Sequence, residues 1–89
     1  MFDVKYKISI IELDGNKIEY TLEKLPTIIK ANKNNIALVI ENQILILNVN
    51  GKLVKRYEVE GSVKDLCFFE DGHALAIIYR DKIDFIKSI

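Results

Sequence analysis

Tryptophan is absent from this 89-residue chain, and histidine, cysteine, proline and methionine each occur once. The single cysteine, Cys67, excludes an internal disulfide. Set between Leu66 and Phe68, it reads as a buried strand thiol, a small hydrophobe, rather than a nucleophile, which needs a base and an exposed electropositive setting. The single histidine, His73, lies beside Asp71 but has no second histidine or cysteine near it, so no usual zinc set is expected. It reads as a solvated turn residue. There is no glycine-rich phosphate loop and no Gly-x-Ser-x-Gly elbow, so no cofactor and no catalytic residue is expected. An excess of either charge is also missing. Lys+Arg and Asp+Glu both number 13, which removes the general attraction that nucleic-acid readers show for a polyanion. No apolar run approaches the ~20 residues that span a bilayer, and no charged-then-apolar leader is present. A cytoplasmic protein without a membrane partner is the expectation. Abundant Ile and Lys lean toward a thermophile or an AT-rich genome.

What is present is apolar matter in short pieces. Hydrophobic residues make up 49% of the chain, enough for a folded domain. A chain of this size is read as one domain, 1–89, burying only ~60–65% of its unfolded surface. The most informative run is 63–86. Val63, Leu66 and Phe68 sit on an extended segment, broken at Glu70-Asp71-Gly72-His73, where Asp-Gly is a strong hairpin signal. Leu75 to Tyr79 follow as an apolar strand, Arg80-Asp81-Lys82 as a polar turn, and Ile83 and Phe85 as alternate positions of a third strand.

The remainder repeats this grammar. Residues 3–13 alternate through Val4, Tyr6, Ile8 and Ile10; Asp14-Gly15-Asn16 turns; Ile18, Tyr20 and Leu22 mark the return strand. Pro26, which cannot donate to a ladder, marks a corner before a short strand at 27–31. Apolar strands at 36–40 and 44–49 are separated by Glu41-Asn42-Gln43, and Asn50-Gly51 leads into an alternating strand at 52–59. The expectation is nine strands and no helix.

The two halves also resemble each other. Asp14-Gly15 corresponds to Asn50-Gly51, Ile36-Ala37-Leu38-Val39 to Leu75-Ala76-Ile77-Ile78, and Gln43-Ile44-x-Ile46 to Lys82-Ile83-x-Phe85. Two four-stranded units of roughly 40 residues, about 14–49 and 50–87, have the size of β-propeller blades. Phe68-x-x-Asp71-Gly72-x-x-Leu75-Ala76, followed by Asp81-x-Ile83-x-Phe85, resembles a WD-repeat type of blade, although the Trp-Asp dipeptide is absent and Gly72-His73 falls in a different turn. The resemblance implies an all-β fold of two four-stranded antiparallel propeller-like blades. A compact β-sandwich or barrel is the alternative. The continuously apolar runs 36–40, 44–47 and 74–79 imply strands covered on both faces. Two blades alone leave outer faces bare, so a homotrimeric or homotetrameric ring is expected.

The corresponding function is a non-enzymatic protein-interaction scaffold. In a blade-like arrangement the turns at 24–27, 41–43, 60–62 and 80–82 share one rim, which nominates Lys24, Asn42, Glu60 and Arg80 as contacts to a protein partner. The alternatives are a structural subunit of a larger particle, or a nucleic-acid-binding β protein using Lys52, Lys55 and Arg56 beside Tyr57. Glu58 and Glu60, two apart, would share a strand face and read as solvated. No metal site is expected.

Overall fold

The computed structural model describes residues 5–11 and 13–89. It contains β1 (Tyr6–Ile11), β2 (Lys17–Leu22), β3 (Ile28–Ala31), β4 (Asn35–Ile40), β5 (Gln43–Asn48), β6 (Leu53–Glu58), β7 (Asp65–Phe69), β8 (Ala74–Ile78) and β9 (Ile83–Lys87). The nine expected strands are therefore found among the described residues. Asp3, Val4 and Glu12 of the first expected strand lie outside them. The protein is all-β. Its strands form three antiparallel sheets: a β1–β2 hairpin, a central sheet β3-β4-β5-β6, and a third sheet β7-β8-β9.

This partition corrects the expected pair of four-stranded units. Sheet boundaries fall between β2 and β3 and between β6 and β7, not near residue 50. The cause is pairing. β2 bonds to β1 from Ile18↔Ile10 through Leu22↔Tyr6, and β6 bonds to β5 from Tyr57↔Ile44 to Leu53↔Leu47. Each sequence repeat thus supplies one strand to the sheet before it and three to the sheet after it.

Alternation explains the layering. On β4 and β5, Ala37, Val39, Ile44 and Ile46 point to one face, and Ile36, Leu38, Leu45 and Leu47 to the other. The first set packs on Leu66, Leu75, Ile77 and Ile86 of the third sheet. The second packs on Leu22, Ile8, Ile10 and Tyr20 of the hairpin. The central strands are apolar throughout because both of their faces are covered, as their continuous runs implied. Each fully buried aliphatic here contributes about 1.5–3 kcal/mol of transfer free energy.

Cover is not complete. The hairpin spans β4 and β5 but leaves Ile29 of β3 exposed. Its own outer face is polar: Lys7, Ser9, Lys17, Glu19 and Thr21 lie there around Ile11. Glu19 takes Lys17 at 3.1 Å and Lys7 at 3.6 Å, and these lysines hold its carboxyl below the ordinary range. The third sheet differs. Its face away from the core bears Cys67, Phe69, Ala74, Ala76, Ile78, Ile83 and Phe85, with Asp65 and Lys87 at its margins, and Phe85 is 59% exposed. Two expectations change here. The 74–79 run is covered by another sheet on one face only, and Cys67 is exposed because it alternates with Leu66 and Phe68 onto the outward face. Ala74 and Ala76 are nonetheless buried. They are small, and Phe69 and Phe85 flank them on the neighbouring strands, their rings meeting edge-to-face with centroids 5.6 Å apart.

Between sheets, β3 and β7 approach each other most closely. There Lys30 Nζ lies 3.3 Å from Asp65 Oδ1. The Leu66 N–H, also bonded to that carboxylate, and then Lys30 hold the Asp65 carboxyl below its ordinary value.

Candidate interaction rim

Strand direction alternates, so the connections sort onto two edges of the stack. One edge carries the link from β2 to β3, the β4–β5 turn, the link from β6 to β7 and the β8–β9 turn. These are the four segments nominated from the sequence. Each is tied to its neighbour. Lys24 Nζ pairs with Glu41 Oε1, joining the first link to the β4–β5 turn. The Val59 N–H donates to the Asn42 carbonyl at 2.8 Å, joining that turn to the next link. Lys82 Nζ lies 3.4 Å from Glu60 Oε2 and 3.7 Å from Asp84 Oδ2, joining that link to the last turn. Asp84, and then the bond to Glu60, raise the Lys82 pKa above its ordinary value.

Lys24, Asn42, Glu60 and Arg80 are all exposed on this edge. Lys24 and Glu60 are engaged in the pairs just described. Arg80 makes no ion pair among the described residues. It lines an open cleft of about 460 Å³ with Glu60, Ser62, Lys64, Tyr79 and Lys82. A second cleft, about 440 Å³, lies between Glu41, Asn42, Gln43, Glu58 and Val59. Sequence reasoning passed over Lys82, whose ammonium lies 5.0 Å from the centre of the Tyr79 ring and closes one side of the first cleft. Its position directly after Arg80-Asp81 was the available signal. The first cleft is lined by charged groups of both signs, the second by the carboxylates of Glu41 and Glu58 with neutral polar groups.

The basic residues considered for nucleic acid are dispersed. Lys52 precedes β6 and lies at the opposite edge. Lys55 sits opposite Ile46 and Arg56 opposite Leu45, so they point to opposite faces of the central sheet. Lys55 Nζ stacks 5.2 Å from its own strand's Tyr57 ring, and Arg56 lines a separate cleft with Tyr20 and Glu41. They do not form one cationic patch. Glu58 and Glu60 do not share a strand face either, because β6 ends at Glu58 and Glu60 turns to Lys82.

The opposite edge is built from asparagines. Asn32 Oδ1 accepts the N–H groups of Asn34 at 2.9 Å and Asn35 at 2.7 Å, folding the β3–β4 turn on itself. Asn35 Nδ2 then donates to the Gly72 carbonyl at 3.2 Å, and Asn34 Nδ2 to that of Asp71 at 3.4 Å. The β7–β8 connection closes through Glu70, Asp71 and Gly72, all at positive φ, with the His73 N–H donating to the Glu70 carbonyl. His73 takes part through its backbone. No group of three His, Cys, Asp or Glu side chains with metal-binding geometry occurs among the described residues. No helix among them is long and apolar enough to cross a membrane.

No curated protein and no solved structure matches this chain. Residues 3–87 match DUF5711, a family of unknown function, and the chain belongs to that family.

Proposed function

We propose that the protein is a non-enzymatic interaction scaffold of stacked, propeller-like β-blades, with the edge bearing Lys24, Asn42, Glu60 and Arg80 as its contact surface for another protein. The observation that carries this reading is the continuity of that edge. Four connections from three sheets are joined by Lys24–Glu41, by Val59 to Asn42, and by Lys82–Glu60. The close approach of β3 to β7, with the stack held face to face elsewhere, supports blades radiating from a common inner edge over a flat sandwich. The open, polar lining of the clefts, of both signs in the one beside Arg80, supports a protein partner over a buried apolar ligand. The scatter of Lys52, Lys55 and Arg56 weighs against a nucleic-acid ligand.

The test uses a variant with Asn42→Ala, Glu60→Ala and Arg80→Ala together. It is expected to keep the wild-type far-ultraviolet spectrum and to lose the proteins that the wild type retains from extract of its native host. Retention that survives all three changes would place the contact surface elsewhere. Salt-dependent retention on heparin, abolished by Lys55→Ala and Arg56→Ala, would replace the reading with a nucleic-acid one.

A further inference from the structure

We infer that the outward face of the third sheet is a self-association surface, on which a second copy of the chain seats the same face about a two-fold axis. This deepens the self-assembly expected of the scaffold and rests on that reading.

The repeat identifies the face as one made for burial. Ala37, Val39, Ile44 and Ile46 of the central sheet are the residues that pack against the third sheet. Their counterparts in the second repeat are Ala76, Ile78, Ile83 and Phe85, and these lie on the outward face of the third sheet. The same apolar pattern is thus covered by another sheet in one repeat and not in the other, where Ala76 lies beside Phe85 and the side chains facing solvent are Ile83, 53% exposed, and Phe85, 59%. An apolar set of this kind, contiguous across three strands, marks a docking surface more often than a solvated one.

The occupant follows from what a second copy can offer. Both faces of its central strands β4 and β5 are taken by its own hairpin and third sheet. The outer face of its hairpin carries the Lys7–Glu19 and Lys17–Glu19 pairs, which a head-to-tail contact would have to desolvate against apolar side chains. The remaining sheet face is the third sheet's own. Pairing it with itself is isologous, so the assembly closes at two copies and leaves no bare face to propagate a fibre. Equal numbers of basic and acidic residues leave no net repulsion between copies. The charge on the hairpin favours this two-fold pair over the trimeric or tetrameric ring.

Size sets the strength. Three strands about 4.8 Å apart and five residues long at about 3.3 Å each give a face of roughly 14 by 17 Å. Two such faces cover about 500 Å² in plan, and side-chain relief leaves them well under the ~1,200 Å² at which stable complexes begin. The dimer is therefore expected to be reversible, present at millimolar protein and dissociated at low micromolar.

Sedimentation equilibrium over that range, on the full chain, tests it. The wild type is expected to shift from monomer to dimer. Phe85→Asp and Ile83→Asp, both at exposed positions, should remain monomeric throughout while keeping the wild-type circular-dichroism spectrum at low concentration, although Phe85→Asp also gives up the ring contact with Phe69 and should melt somewhat lower. Lys17→Ala should dimerise as the wild type does. Bismaleimide cross-linking through Cys67, which lies on the face, should yield a covalent dimer in wild type and none in Phe85→Asp. A wild type that stays monomeric at millimolar concentration overturns the inference. So does a trimer or tetramer that tolerates Phe85→Asp and fails with Lys17→Ala, although that outcome would leave the self-assembling scaffold standing with a different interface. Loss of rim binding leaves the dimer untouched and sinks only the rim assignment.

Discussion

Replacing Gly72 with alanine measures how much the asparagine edge contributes. Gly72 has φ +89°, a left-handed conformation that costs an L-residue about 1–2 kcal/mol. The added Cβ would also overlap the side-chain amide of Asn32. Asn32 can move aside, but its Oδ1 then leaves the N–H groups of Asn34 and Asn35. Two hydrogen bonds at about 0.5–1.5 kcal/mol each are at risk. Loss of glycine's unfolded-state freedom returns about 0.4–1 kcal/mol. The net destabilisation is about 2–4 kcal/mol. Gly15 supplies the control, because its φ is +92° but nothing lies within 4 Å of a Cβ built there. Gly15→Ala should cost about 1 kcal/mol by the same conformational argument. Urea titrations followed by circular dichroism and tyrosine fluorescence compare the two, and on heating Gly72→Ala should lower the midpoint by about 10–25 °C. In an Asn32→Ala background the steric part vanishes, so Gly72→Ala should then cost no more than Gly15→Ala. Equal costs for Gly72→Ala and Gly15→Ala in the wild-type background would refute the reasoning. So would a Gly72→Ala penalty that persists without Asn32.

Further outcomes can be checked on single variants. Leu38→Ala removes a fully buried side chain from the layer between hairpin and central sheet and should cost about 2–5 kcal/mol by denaturant titration. Asp65 has its folded pKa lowered by the Leu66 N–H and by Lys30, so its contribution to stability is present above its ordinary value of 3.8 and is lost as pH falls through the lowered folded value. Asp65→Asn should accordingly be less stable than wild type at neutral pH, with the difference disappearing in strong acid; a difference that grows on acidification contradicts the assignment. Lys82 has the opposite sign. Its pKa is raised by Asp84 and Glu60, so Lys82→Ala should differ from wild type below the ordinary lysine value of 10.5 and converge with it at higher pH. Arg80→Ala should change stability by less than about 0.5 kcal/mol, and unfolding of that variant would show that Arg80 is structural.

The strands were legible because turn chemistry separates them: Asp14-Gly15-Asn16, Glu41-Asn42, Asn50-Gly51 and Glu70-Asp71-Gly72 each fall between runs of apolar residues. The clustering of Lys24, Asn42, Glu60 and Arg80 on one edge was legible too, since antiparallel strands return every second connection to the same side. The sheet partition was not. Likeness between repeats marks where a pattern recurs, whereas a sheet is defined by which strand's N–H groups meet which carbonyls, and the link at 59–64 looks in sequence like any other turn. Cys67 was misread for a related reason. Neighbouring apolar residues on a strand point to opposite faces, so Leu66 and Phe68 facing the core require Cys67 to face away. Ala74 and Ala76 added to the error, because their burial by flanking phenylalanines looks in sequence like burial beneath another layer.

The offset between repeat and sheet has a mechanical consequence. Cleavage at Asn50-Gly51, the seam between repeats, would leave β5 and β6 on different fragments while their ladder still joined them. Each half would carry a sticky edge that only the other half matches. Pulled from its ends, such a chain cannot simply part between repeats, because the β5–β6 ladder crosses the seam and must first be unzipped from its Gln43–Glu58 end toward the turn. A new repeat inserted at a seam would inherit the same bond on both sides, so the stack can lengthen without designing a new junction.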